Sequence, residues 1–209
     1  MKTPLLFLFA AASFAAAATP ALSLAPCCAE KDMTKKDECC DAMVSTPFSK
    51  TSLYQADATF TTDTGTACKL GTFRGRPVVL AMFFGSCSYA CPLTVTDIQA
   101  IRAQLPAELR DRAAFVLVSF DVARDTPAAL AAYRTQRDLD SAWTLLRGTE
   151  DSVRELAALL GVKYKREADG AFAHSNLITI LNAQGEIVHQ RPGLKGGIGE
   201  AAAAVVAAK

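Results

Sequence analysis

Two unbroken apolar runs constrain the fold of this chain more than any other feature. Val78-Val79-Leu80-Ala81-Met82-Phe83-Phe84 and Phe115-Val116-Leu117-Val118-Ser119-Phe120 contain one polar residue between them. A strand with one wet face alternates apolar and polar residues. A continuous apolar run is what a central strand buried on both faces requires, and parallel sheets covered by helices supply that environment.

The segments around these runs fit such a sheet. Leu93, Ile98, Ile101 and Leu105 recur at helical spacing, and Pro106 ends them. Thr126-Pro127 opens a second helix through Leu130 and Tyr133, with threonine as cap and proline in the first turn. Trp143-Thr144-Leu145-Leu146 reads as a short strand. Val153, Leu156, Ala157 and Leu160 then form a helical face that Gly161 stops. Upstream, Leu53-Tyr54-Gln55 and Ala58-Thr59-Phe60-Thr61 read as short strands. The turn Asp63-Thr64-Gly65 folds the second of these onto Ala67-Cys68-Lys69-Leu70 as a hairpin. Asn176 to Leu181 and Glu186 to Gln190 pair across Asn182-Ala183-Gln184-Gly185, and an alanine-rich helix closes the chain. This order predicts an α/β fold, a three-layer α/β/α sandwich with an added N-terminal β-hairpin.

The chemistry is concentrated at the first strand-to-helix turn, Gly85-Ser86-Cys87-Ser88-Tyr89-Ala90-Cys91-Pro92. Two thiols at that turn make the sandwich thioredoxin-like. Pro92 in the first helical turn sets Cys91 at or beside the N-cap, where unpaired N–H groups and the helix dipole favour an anion. A lowered thiol pKa is therefore expected at Cys91, and the thiolate is the species that binds metal or attacks disulfides. Three intervening residues leave both sulfurs free to converge on an ion about 2.3 Å away. A structural disulfide between such close neighbours would remove little loop entropy. A third ligand has few sources, because the chain has only His174 and His189. The loop before Leu177 to Leu181 approaches the first helix in such a sheet, so His174 can reach Cys87 and Cys91. His189 falls on the return strand and reads as a surface residue. Cys68 reads as a buried or half-buried strand thiol.

Composition and the N-terminus bound the setting. Met1-Lys2 precedes an apolar run from Leu5 to Ala18, which reads as an export signal over residues 1–25, with a retained membrane anchor as the alternative. Either places the remainder outside the cytoplasm, in the periplasm or beyond, where disulfides persist. About 180 residues then remain, the size of one domain. Lys+Arg 22 against Asp+Glu 21 leaves no basic stripe for nucleic acid. Residues 26–47 are charged and lack periodicity, as a flexible linker does. They carry Cys27, Cys28, Cys39 and Cys40 with Met33 and Met43. Soft ligands of this kind suit Cu(I) or zinc, and disulfides across the segment are the alternative. The folded domain is expected over residues 48–209, as a monomer.

Cys87-Ser88-Tyr89-Ala90-Cys91-Pro92, Asp121-Val122-Ala123-Arg124-Asp125-Thr126-Pro127 and His174, followed by Asn182-Ala183-Gln184-Gly185-Glu186, resemble the Sco/SenC family of copper proteins in order and spacing. The resemblance covers roughly Ser52 to Leu194. It implies copper, as Cu(I) or Cu(II), held by Cys87, Cys91 and His174, with Asp121 as the acidic residue near the site. It also implies a metallochaperone without turnover that assists the dinuclear copper centre in subunit II of cytochrome c oxidase, or serves another exported copper protein. This chain has Ser88-Tyr89-Ala90 where the family often places proline and an acidic residue, and Ala173 where it often places an acid. A thiol–disulfide oxidoreductase is the second reading. Cys87, the more exposed thiol, would attack a partner disulfide and Cys91 would resolve the mixed disulfide.

Overall fold

The central strand of the fold is β3, Val78–Phe83, and every one of its six residues is buried. In the computed structural model, which describes residues 47–168 and 170–208, it pairs in parallel with β4 (Ala114–Ser119) and antiparallel with β8 (Leu177–Leu181). β4 is buried along its whole length as well, as its unbroken apolar run requires. The expected leader, the linker up to Thr46 and the cysteines Cys27, Cys28, Cys39 and Cys40 lie outside the described residues.

The remaining elements assemble around this pair. The hairpin of β1 (Thr59–Thr62) and β2 (Ala67–Lys69) joins the sheet beside β5 (Trp143–Arg147), and β9 (Ile187–Pro192) closes the other edge. The order is β2-β1-β5-β4-β3-β8-β9. α1 (Ala90–Gln104) connects β3 to β4 through a short α2 (Ala107–Arg112), and α3 (Pro127–Gln136) connects β4 to β5. α4 (Glu150–Leu160) follows β5, and α5 (Ile198–Ala207) packs against α1.

Side-chain direction fixes the layers. Val79 on β3 stands opposite Phe115 on β4, so these two and Phe83 share one face. Arg102 of α1 lies over the Phe115 ring and Tyr133 of α3 packs on Phe83, which places both helices on that face. Thr179, opposite Leu80, points to the other face. There Gln190 bridges Thr179 Oγ1 and the carbonyl of Leu160 at the end of α4. Helices therefore cover both faces, and the three-layer sandwich holds.

Local signals behave as expected at most boundaries. The Thr126 hydroxyl accepts from the Ala129 N–H and caps α3, with Pro127 as its first residue. Thr149 and Ser152 form a reciprocal capping box on α4, and Gly161 ends that helix in the left-handed conformation. Cys68 is a free, buried thiol on β2. His189 is half-buried on β9.

Leu53–Gln55 corrects the reading of a strand: it is a three-ten turn. The Ser52 hydroxyl accepts the Tyr54 N–H, and Leu53 N–H donates to the Gly185 carbonyl, so the segment docks on the β8–β9 turn instead of pairing in the sheet. Gly185 sits at φ 83°, and a Cβ there would lie 2.5 Å from the Tyr54 ring. Gly185→Ala combines an unfavourable backbone conformation with overlap against a buried ring. It is expected to destabilise the domain by about 2 kcal/mol, read as a lower midpoint in urea with an unchanged slope.

Candidate metal centre

Cys87 and Cys91 leave the carboxyl end of β3 on a turn that the sheet and the helix hold from both sides. Cys87 N–H donates to the Phe84 carbonyl, and Cys91 N–H donates 3.3 Å to the Cys87 sulfur. Gly85 is required here: its N–H donates 2.8 Å to Asp125 Oδ2, and a Cβ would meet Asp125 Oδ1 at 2.7 Å. Asp125 is itself buried and accepts from the Ser119 hydroxyl. Burial raises its pKa, those two hydrogen bonds oppose the rise, and the nearby Asp121 charge adds to it.

The two thiols differ. Cys91 is 1 % exposed and Cys87 is half-buried. Burial pushes the Cys91 thiol well up; a hydrogen bond from Phe84 N–H opposes this, and neighbouring Cys87 adds to the rise. For Cys87 burial acts upward too, but hydrogen bonds from the N–H groups of Cys91, Tyr89 and Ala90 and from the Cys91 thiol bring its pKa below the usual thiol value. The expectation of a lowered pKa at Cys91 is therefore corrected. α1 begins at Ala90 with Tyr89 as cap, so Cys91 is the second helical residue and its sulfur is buried in the core. The helix N-terminus instead serves Cys87, whose sulfur lies in front of the free N–H groups.

His174 arrives from a different element than the sequence suggests. It is not in a loop but ends β7 (Phe172–His174), which among the described residues pairs only with β6 (Tyr164–Arg166) as a separate two-stranded sheet. Its Nε2 stands 4.0 Å from Cys91 Sγ. Its Nδ1 lies 3.2 Å from the Ser175 carbonyl, which can only accept, so Nδ1 carries the proton and Nε2 offers a lone pair to the thiols. Burial lowers the His174 pKa against the opposing pull of that carbonyl, which keeps the ring neutral at pH 7.

A nest of aromatic rings sets the imidazole. Phe84 meets it edge-on with centroids 5.9 Å apart, and Phe120 lies at 4.9 Å. Phe172 packs on both phenylalanines, and Tyr164 stacks on Phe120. These residues were not singled out from the sequence. The available signal was that Phe84 and Phe120 each end an apolar run at the same edge of the sheet.

Cys87, Cys91 and His174 thus form one cluster, with ligand atoms within 4.8 Å of one another. An ion bonded at about 2.3 Å to sulfur and about 2.0 Å to nitrogen draws such atoms to within about 4 Å, a small closure. The donor set of two thiols and one imidazole is soft and suits copper or zinc. Asp121 is buried near this end of the sheet, but its carboxylate pairs with Arg124. The carboxylate that reaches the cysteine turn is Asp125.

Comparisons with known proteins agree with this geometry. The profile of the SCO1/SenC family matches residues 48–208. A Stutzerimonas stutzeri protein named for copper binding is 30% identical over 120 residues, 56% of this chain and 58% of its own length. The chain therefore spans less than two thirds of that relative. The structure of Bradyrhizobium japonicum ScoI with copper bound superposes with a TM-score of 0.62 at 22% identity, covering 73% of this chain and 97% of that one. A SCO1/SenC family lipoprotein from Bacillus anthracis str. Ames gives a TM-score of 0.65 at 19% identity, over 72% of this chain and 91% of that one. The structural likeness shows a shared thioredoxin-like fold, and the profile spans nearly all of the described residues. This chain belongs to the SCO1/SenC family.

Proposed function

We propose that the protein is an exported copper-binding metallochaperone that holds Cu(I) or Cu(II) on Cys87, Cys91 and His174 and hands it to the dinuclear copper centre of cytochrome c oxidase or to another exported copper protein. The observation that carries this reading is the convergence of the three side chains from two separate elements. A disulfide exchanger needs the two thiols only. A neutral imidazole with its Nε2 lone pair held toward them by the Ser175 carbonyl is a ligand arrangement. Two thiolates suit Cu(I), and the added nitrogen extends the set to Cu(II). The apolar run from Leu5 to Ala18 supports export, and the named copper binding of the relatives supports the choice of metal. No helix among the described residues is long and apolar enough to cross a membrane.

A specific observation also favours thiol–disulfide exchange as a companion activity. Cys87 is the accessible, lowered-pKa thiol and Cys91 the buried one. The Cys87 thiolate would attack a partner disulfide and form a mixed disulfide. Cys91 would then lose its proton and attack Cys87, releasing the partner's second thiolate. The partner gains two electrons and this protein ends as the Cys87–Cys91 disulfide.

Titration of the reduced protein with Cu(I) and Cu(II) tests the first reading. His174→Ala is expected to weaken Cu(II) by at least about 100-fold while Cu(I) stays within about tenfold, and Cys87→Ser is expected to weaken both. Equal copper affinity in wild type and Cys87→Ser would sink the chaperone reading. Removal of residues 26–47 is expected to lower the Cu(I) stoichiometry, because Cys27, Cys28, Cys39 and Cys40 go with it.

The pH dependence follows from the two thiols. Copper displaces whatever protons the ligands carry, so affinity rises with pH. Between the lowered Cys87 pKa and the raised Cys91 pKa only Cys91 gives up a proton. Cu(I) affinity is expected to rise about tenfold per pH unit there, and more steeply below the Cys87 pKa. Competition with a chelator of known pH dependence measures the slope. In the metal-free protein at pH 7, iodoacetamide is expected to modify Cys87 well before Cys91, as peptide mass mapping would show; equal rates would remove the nucleophile assignment.

A further inference from the structure

The hairpin that carries His174 cannot place itself. A two-stranded hairpin is marginal alone, and among the described residues β6 and β7 pair with no strand of the main sheet. Near its base the aromatic nest holds it, through Tyr164 and Phe172 against Phe84 and Phe120. Its tip, where Gly170 N–H donates to the Glu167 carbonyl and Glu167 N–H to the Ala171 carbonyl, stands beyond those rings.

Arg124 reaches that tip. Its Nη2 donates 2.5 Å to the Gly170 carbonyl, and its Nε pairs with Asp121 Oδ2. Asp121 is 1 % exposed, and a carboxylate so buried is stable only when paired and hydrogen-bonded. Arg124 meets it twice, because its backbone N–H also donates 3.2 Å to Oδ1. The guanidinium is thereby fixed at one end by the loop after β4 and offers its other end to the hairpin. The planar fork of arginine makes this possible: one edge takes the carboxylate and another donor takes the carbonyl.

We infer that Arg124, anchored by Asp121, is a positioning residue that holds the β6–β7 hairpin so that His174 stays within reach of the two thiols. Asp121 acts on the metal centre through Arg124 and the hairpin, not through a contact of its own. The inference rests on the proposed copper site, and it concerns the imidazole more than the thiols. Cys87 sits on the turn after β3 and Cys91 in the first turn of α1, so neither depends on the hairpin for its place. Loss of the clamp should therefore weaken Cu(II), which uses the nitrogen, more than Cu(I), which two thiolates can hold.

Hydrogen exchange on the metal-free protein and copper titration test this together. In Arg124→Ala, exchange at amides of the β6–β7 hairpin is expected to quicken by about tenfold, with the amides of β3 and β4 unchanged. Cu(II) affinity is expected to fall by about 10- to 100-fold, with loss of the nitrogen superhyperfine pattern in the Cu(II) resonance spectrum, and Cu(I) affinity is expected to stay within about threefold. The double variant Arg124→Ala/His174→Ala is expected to bind Cu(II) no more weakly than His174→Ala alone. Arg124→Lys keeps a charge against Asp121 but cannot grip both partners, so it should show the same exchange change and guards against a general folding defect. Unchanged hairpin exchange and Cu(II) affinity in both Arg124 variants would overturn the inference, as would additive losses in the double variant. Failure of the copper site itself shows separately, as a His174→Ala protein that binds Cu(II) like wild type.

Discussion

The antiparallel pairing of β3 with β8 is the constraint on which the rest depends. Cys91 and His174 are 83 residues apart, and this pairing makes them neighbours. Ala81 stands opposite Ile178, and in an antiparallel pair each step forward along one strand is a step backward along the other. Moving from Ala81 toward Cys87 and from Ile178 toward His174 therefore leads out of the same end of the sheet. The parallel pairing of β3 with β4 adds Phe120, Asp121 and Asp125 at that end, since parallel strands finish together. Carboxyl ends of adjacent parallel strands are where α/β folds place their sites. Here complete burial of β3 and β4 fixes the register, because a slip of one residue would have to expose or repack the whole run.

Within that frame the two thiols are made unlike by the same few residues. The Cys91 side chain enters the core and loses solvent, so its thiol form is favoured. The N–H groups at the start of α1 have no helical acceptors, and the Cys87 sulfur collects them. A helix N-terminus acts on the group lying in front of it, which here belongs to Cys87, three positions before the first helical residue Ala90, and not to the cysteine inside the first turn. Burial outweighs the dipole at Cys91 because the dipole term at a helix end is worth about 1 kcal/mol or less, whereas desolvation of an anion costs several times more.

That contest also marks the boundary of what the sequence could convey. The buried strands, the cap at Thr126, the stop at Gly161 and the terminal β8–β9 hairpin each rest on local chemistry, so they were legible from residues 78–84, 115–120, 126–127, 161 and 176–190. The three site residues were legible too, since cysteine at a strand-to-helix turn and a histidine before an apolar strand are local features placed by a familiar topology. The β6–β7 hairpin was not, because two strands of three residues carry no period to detect, and His174 therefore read as part of the loop before Leu177 to Leu181. Leu53–Gln55 failed for the opposite reason: its aromatic and aliphatic residues suit a strand, and only the distant Gly185 carbonyl and the Ser52 cap turn it into a three-ten turn. The pKa order of the thiols depends on depth of burial, which no spacing of cysteines records.

The asymmetry bears on how an ion held as proposed could leave. A ligand with a raised pKa binds its proton tightly when the metal departs, so reprotonation of Cys91 favours release as well as opposing capture. Cys87, half-buried on the turn, offers the accessible sulfur at which a partner thiolate can enter the coordination sphere. Tyr89, 70 % exposed between the two cysteines, leaves that side of the turn uncovered by the other described residues. His174 stands on a two-stranded hairpin, an element that is marginal alone, so its bond to an ion would be the one most readily given up, and Cu(I) has the least need of it. Under the proposed function the order of detachment would be imidazole, then the exposed thiolate, then the buried one. An incoming sulfur could then replace each ligand in turn without freeing the ion, while Cys91, buried in the first turn of α1, would be the ligand held to the end.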